Sequence, residues 1–202
     1  AKLPQGILNK EGKLTAMEKK TVCNHIALGY QVCKAEGLDD KIVVDLLINH
    51  HERVDGSGYP RGITGDKLSD LAKMMAIVDV YDAMTGERPY KKGDQPVNAL
   101  RYLLAKKDLF DQGLAQQFIK FMGVHPVGSL VKLSDERLAI VIKGNREKAV
   151  KPLVKAFYTL KHRHYITPKD IDLCKVDTSI SASVRPEDHD IKLSKVIRDV
   201  LF

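Results

Sequence analysis

Tryptophan is absent from the 202 residues, aromatic side chains make up only 6%, and there are three cysteines and eight prolines. An odd number of cysteines cannot pair completely. The spacings of Cys23, Cys33 and Cys174 match neither a zinc knuckle nor a redox pair, which excludes a disulfide framework and a thiolate metal site. Cys23 and Cys33 fall in an apolar helical pattern and read as buried thiols of a reducing compartment, so the expected location is cytoplasmic. No apolar run approaches the roughly 20 residues of a membrane span, and "AKLPQGILNK" lacks the charged-then-apolar layout of a secretory signal. Internal repeats and low-complexity tracts are missing too. No helix-turn-helix, RNP or zinc-finger pattern accompanies the net charge of +7, so neither DNA nor RNA is an expected partner. The positive charge reads as a solvated surface, or as an aid in recruiting a small anionic substrate.

A hydrophobic content of 44% supports a sizeable core, and the length fits one large domain or a domain with a smaller appendage. "LTAMEKK" opens with a capping box, Thr15 with Glu18. Apolar residues then recur at Val22, Ile26, Gly29, Tyr30 and Cys33, a helical stripe running on until Gly37. Asp39 or Asp40 caps the next helix, "KIVVDLLINHHE", which the "DGSGYP" turn ends. "LSDLAKMMAIVDVYDAM" reads as a buried helix, and "QPVNALRYLLAKK" and "GLAQQFIKFMG" as two amphipathic ones. From about Gly123 the texture changes. "VGSLVKLS", "RLAIVIKG" and "PLVKAFYTL" read as strands of a small sheet, and "DIKLSKVIRDVLF" as a closing helix. The expected fold class is mainly α: a helical domain over 1–123 and a small α+β extension over 124–202.

The chemistry concentrates in "LINHHERVDGSGYPRG". His50 and His51 end a helix about 100° apart around its axis, so they suit two atoms a few ångströms apart better than one. His25 lies three residues after Val22 and four before Gly29, on their inward-tending face. Asp79 and Asp82, three apart on an apolar helix, would be costly to bury without a cation. Singly, each has a plainer role: His25 as a hydrogen-bonded core histidine, the pair as cations at a helix C-terminus, the aspartates as partners of Arg88. Together, three histidines and a carboxylate on successive helices point to a metal, and imidazole with carboxylate suits iron, manganese or another first-row ion. Gly56 and Gly58 allow positive φ and close backbone approach to a ligand. Tyr59 offers a ring to stack on a base, and Pro60 stiffens the loop. Arg88 and Lys91 supply cations for a phosphate. An ordinary surface turn remains the plainer reading of the loop.

"HHERVDGSGYPRG", followed by "VDVYDAMTGERPYKKG", resembles the HD-GYP family, a bacterial branch of the HD metal-dependent phosphohydrolases. "ILNKEGKLTAMEKKTVCNHIALGYQV" is similar to that family's approach to a ligand histidine, and the resemblance runs from about Leu3 to Gly123. It implies an HD-domain-like helical bundle and an enzyme hydrolysing the second messenger cyclic di-GMP to pGpG or GMP. It also implies two or three divalent metal ions, iron or manganese, with a metal-bridging hydroxide as nucleophile. By the same resemblance His25, His50, His51 and Asp79 are metal ligands, and Asp79 and Asp82 belong to the catalytic network. Arg88 and Lys91 would hold a substrate phosphate, while Gly58, Tyr59 and Pro60 line the groove. Expected partners are the cyclic dinucleotide and other signalling domains or proteins of the same pathway. The His-Asp pair that names the superfamily is not in the segment that the resemblance covers. The resemblance would place it just before Ala1, so a chain trimmed at its amino end is expected. The alternative is a catalytically degenerate HD-GYP-like module that binds nucleotide or a partner protein without turnover. A third reading is an HD-type hydrolase of another phosphorylated nucleotide.

Overall fold

Thr15 caps a helix as its sequence pattern requires. In the computed structural model, its Oγ1 accepts the Glu18 N–H at 3.3 Å, and Glu18 Oε2 accepts the Thr15 N–H at 2.7 Å. The structure describes residues 3–87, 92–189, 191, 196 and 198. A short α1 (Gln5–Leu8) precedes α2 (Ala16–Cys23) and α3 (His25–Ala35). The continuous helix expected from Thr15 to Gly37 is thus two. At Asn24 the backbone N–H turns back to Thr21 at 3.2 Å, and the break sits directly before His25.

Asp40 caps α4 (Lys41–Asn49), its Oδ1 accepting the Ile42 and Val43 N–H groups at 2.9 and 3.0 Å. Such a cap contributes about 1 kcal/mol. Ser69 caps α5 (Asp70–Thr85), and α6 (Pro96–Ala105) and α7 (Gln112–Met122) follow. α5 corrects an expectation. Only Ala72, Ala76 and Ile77 are buried, while Leu71, Met74, Met75 and Val78 are exposed. Cys23 and Cys33 are likewise half-buried rather than buried, and Cys174 is exposed.

The chain divides into two units, one of residues 1–94 and 98–116, the other of 95–97 and 117–202. The first is helical. α3 packs on α4 and α4 on α5, and a Cβ on Gly29 would come within 3.0 Å of Leu47 Cδ1. That contact draws α3 close to α4 one turn from His25.

The second unit is a five-stranded antiparallel sheet in the order β4-β3-β2-β1-β5, with β1 (Leu130–Leu133), β2 (Arg137–Lys143), β3 (Leu153–Thr159), β4 (His164–Asp172) and β5 (Ile180–Ser183). The first three strands occupy the expected runs. β2 is buried on both faces: Leu138 and Ile140 join Phe157, Ile191 and Val196 on one side, and Ala139 and Val141 join Val154, Ala156 and Leu173 on the other. This is why its sequence is apolar without alternation. The expected closing helix falls largely outside the described residues. Among the described residues, no helix is long and apolar enough to cross a membrane.

Glu18 links α2 to the segment before it. Lys10 Nζ bonds to its carboxylate at 2.8 and 2.7 Å, and with the Thr15 N–H it holds the carboxyl down to about 2. The folded value lies below the unfolded 4.5, so the stabilisation is complete above pH 4.5 and is lost as pH falls toward 2. The difference in thermal midpoint between wild type and Glu18→Gln should therefore shrink through that window. A difference unchanged at its lower end would refute the assignment.

Candidate metal centre

Three rings converge where α3 and α4 meet. His25 Nε2 and His50 Nε2 are 3.3 Å apart, and His25, His50 and His51 each offer a ligand atom within 4.8 Å of the others. The centroid of the His51 ring is 4.1 Å from that of His50 and 5.0 Å from that of His25. The opposite nitrogens are already committed. His25 Nδ1 bonds to the Val22 carbonyl at 2.7 Å and His50 Nδ1 to the Leu47 carbonyl at 2.9 Å. A carbonyl can only accept, so both Nδ1 atoms carry the proton, as assigned from the hydrogen-bond network. Both Nε2 atoms then present lone pairs to one another, an arrangement that a cation between them stabilises. Burial, reinforced by the neighbouring His51, lowers the pKa of His50. The neutral, metal-binding form is therefore favoured. The chemistry of this donor set fits a first-row divalent ion.

His51 Nδ1 lies 3.3 Å from Asp79 Oδ2. Burial alone would raise the Asp79 pKa, but the His51 hydrogen bond and the charges of His51, His50 and Arg53 outweigh it and hold the carboxyl below its usual range. Asp79 thus steadies the third ring from α5. Asp82, three residues on, is exposed, and neither aspartate joins the three histidines as a clustered donor: Asp79 reaches only His51. Arg88 and Lys91 lie outside the described residues.

The loop after α4 is closed by an antiparallel bridge between Asp55 and Thr64, and its Tyr59–Pro60 peptide is cis. The Tyr59 ring stacks on His51 with centroids 4.7 Å apart. Burial, with the Cys23 thiol beside it, pushes the Tyr59 phenol up, so it stays a neutral group. Tyr59 and Pro60 line a cavity of about 390 Å³ with Lys20, Cys23, Tyr30 and Ile48. Gly56 has the expected positive φ, +81°, but Gly58 does not. A Cβ on Gly58 would lie 2.4 Å from Glu52 Cα and 2.5 Å from Arg53 N. Its close approach is to the chain itself.

A family model described as HD domain matches residues 1–114. The chain belongs to the HD domain family. Its paired histidines and Gly-Tyr-Pro loop place it in the HD-GYP branch. It is 39% identical over 171 residues, 85% of the chain and 41% of the relative, to the cyclic di-GMP phosphodiesterase PA4108 of Pseudomonas aeruginosa. To the cyclic di-GMP phosphodiesterase response regulator RpfG of Xanthomonas campestris it is 37% identical, covering 54% of the chain and 29% of that protein. To a 3′3′-cGAMP-specific phosphodiesterase of Vibrio cholerae it is 38% identical over 42% of the chain and 18% of the relative. The chain spans less than half the length of these relatives.

Sequence reasoning missed what fixes the HD-GYP loop in place. Glu52, 1% exposed, accepts the Arg61 N–H at 2.7 Å and the Ile63 N–H at 3.2 Å. The Arg61 guanidinium donates to Asn49 Oδ1 at 2.8 Å, and Asn49 Nδ2 donates to Asp45 Oδ1 at 2.7 Å. Asp45 Oδ2 takes the Ser69 hydroxyl, tying α4 to the cap of α5. Arg53 donates to the carbonyls of His50 and Glu52 at 3.3 and 2.7 Å, a cation at the end of α4. The signal available was a Glu-Arg pair directly after the histidines.

Glu52→Gln keeps the shape but turns an acceptor into a donor facing a backbone N–H. It should cost about 1–3 kcal/mol, read by urea denaturation. A loss within experimental error would mean the loop is held by other contacts.

Proposed function

We propose that this chain carries the catalytic core of a phosphodiesterase that hydrolyses cyclic di-GMP to pGpG, GMP or both. The observation that carries the reading is the pair of ring nitrogens facing each other at 3.3 Å with their opposite nitrogens bound to carbonyls. Relatives named as phosphodiesterases of cyclic di-GMP and of 3′3′-cGAMP support a cyclic dinucleotide as substrate.

His25, His50 and His51 would hold the ions, with Asp79 as a further ligand or as the group orienting His51. Divalent ions held there, iron or manganese, would supply Lewis acidity toward the phosphodiester oxygens and acidify a water. The rest falls to the chain. The carbonyls of Val22 and Leu47 keep two imidazoles in the tautomer that binds cations. Asp79 holds the third ring, and its carboxylate balances positive charge beside the reacting phosphate. Tyr59 and Pro60 form the wall against which the dinucleotide lies, Tyr59 being fixed by its stack on His51, and Gly58 seats that wall on the Glu52 backbone. Arg88 and Lys91 follow α5 in sequence and are assigned to a substrate phosphate, and Asp82 to the network around Asp79.

Purified full-length protein supplied with manganese should hydrolyse cyclic di-GMP in preference to 3′3′-cGAMP, lose activity on chelation and regain it on re-addition of the ion. His50→Ala and His51→Ala should each lower the rate by about a hundredfold or more, with product analysis by chromatography. Chelator-resistant turnover would overturn the metal assignment. Binding of cyclic di-GMP without any turnover would instead identify a regulatory module.

A further inference from the structure

Positive charge is unevenly distributed. The helical unit carries 17 Lys and Arg against 16 Asp and Glu, whereas the sheet unit carries 16 against 10. Within the sheet unit, Lys120, Lys143, Arg146 and Lys151 line a cavity of about 730 Å³ between the end of α7 and the loop joining β2 to β3. That volume is within the roughly 300–1,000 Å³ of small-molecule sites.

A basic loop is ordinarily a solvated face, but three observations separate this one from that case. First, the loop is held from within. Asn145 Oδ1 accepts the N–H groups of Glu147 and Lys148, both at 2.9 Å, and its Nδ2 donates to the Lys151 carbonyl at 3.3 Å. Second, among the described residues none of the four cations forms an ion pair. Of the two carboxylates in the wall, Asp172 already accepts the Cys174 N–H and pairs with Lys175. Third, the same cavity has an apolar wall, with Phe121 74% and Val127 62% exposed. An open aromatic ring beside unpaired cations suits a ligand that has both a flat ring and a phosphate.

We propose that this cavity is a nucleotide-binding site, its phosphate taken by Lys143, Arg146 and Lys151 and its base laid on Phe121. The site lies in a different unit from the metal centre and does not rest on the catalytic reading. Isothermal titration of GMP and of inorganic phosphate into the chelator-treated 202-residue chain tests it. Saturable GMP binding is expected, weakened about tenfold or more by the double change R146E/K151E. Phe121→Ala should weaken GMP binding and leave phosphate binding as it was. The proposal is overturned by absence of saturable binding, by GMP affinity indifferent to charge reversal, or by phosphate binding as tightly as GMP.

Discussion

A glutamate that is almost wholly removed from water governs the end of α4. Burying a carboxylate costs several kcal/mol unless donors meet it, and Glu52 meets the backbone N–H groups of Arg61 and Ile63. Those donors can be supplied only if the chain turns sharply after His51 and returns to the helix it has left. The turn carries Tyr59 onto the His51 ring. Arg53 closes the same helix end by occupying the His50 and Glu52 carbonyls. Two adjacent imidazoles therefore finish a helix at a fixed place, with their ring planes inclined at 41° to one another.

Around this point the remaining contacts act as alignment. The missing side chain of Gly29 lets Leu47 approach α3, and the break at Asn24 sets where α3 begins, so His25 arrives opposite His50. The Asp45–Ser69 contact fixes the start of α5 relative to α4, and two and a half helical turns later Asp79 reaches His51. Each of these contacts is modest in energy. Their joint effect is to hold like-facing nitrogens at a separation that neutral rings would not choose by themselves.

Much of this was legible in the residues. Caps are local chemistry, so Thr15, Glu18 and Asp40 declared their helices, and the histidines and Asp79 were readable from type and spacing. The break at Asn24 was not, because nothing in an apolar stripe marks a single shifted hydrogen bond. The exposed side of α5 was missed because an all-round apolar helix looks buried whatever lies beside it. Glu52 escaped notice because its partners are nine and eleven residues away and are backbone groups, which no side-chain pattern reports. The two strands passed over, β4 and β5, are the sheet's edges. β4 carries Pro168 and a run of exposed polar positions, as edge strands do. Arg88 and Lys91 lie outside the described residues.

The fit of Gly58 against the Glu52 backbone has a bearing on protein engineering. A loop seated that tightly on its own helix terminus is not a detachable accessory. Exchanging the Gly-Tyr-Pro segment alone for one of different shape would lift it from its seat and strip a buried anion of its donors. A cassette running from Asn49 through Thr64, by contrast, would carry its anchor, its closing bridge and two of the three clustered imidazoles together, and so would transplant whole.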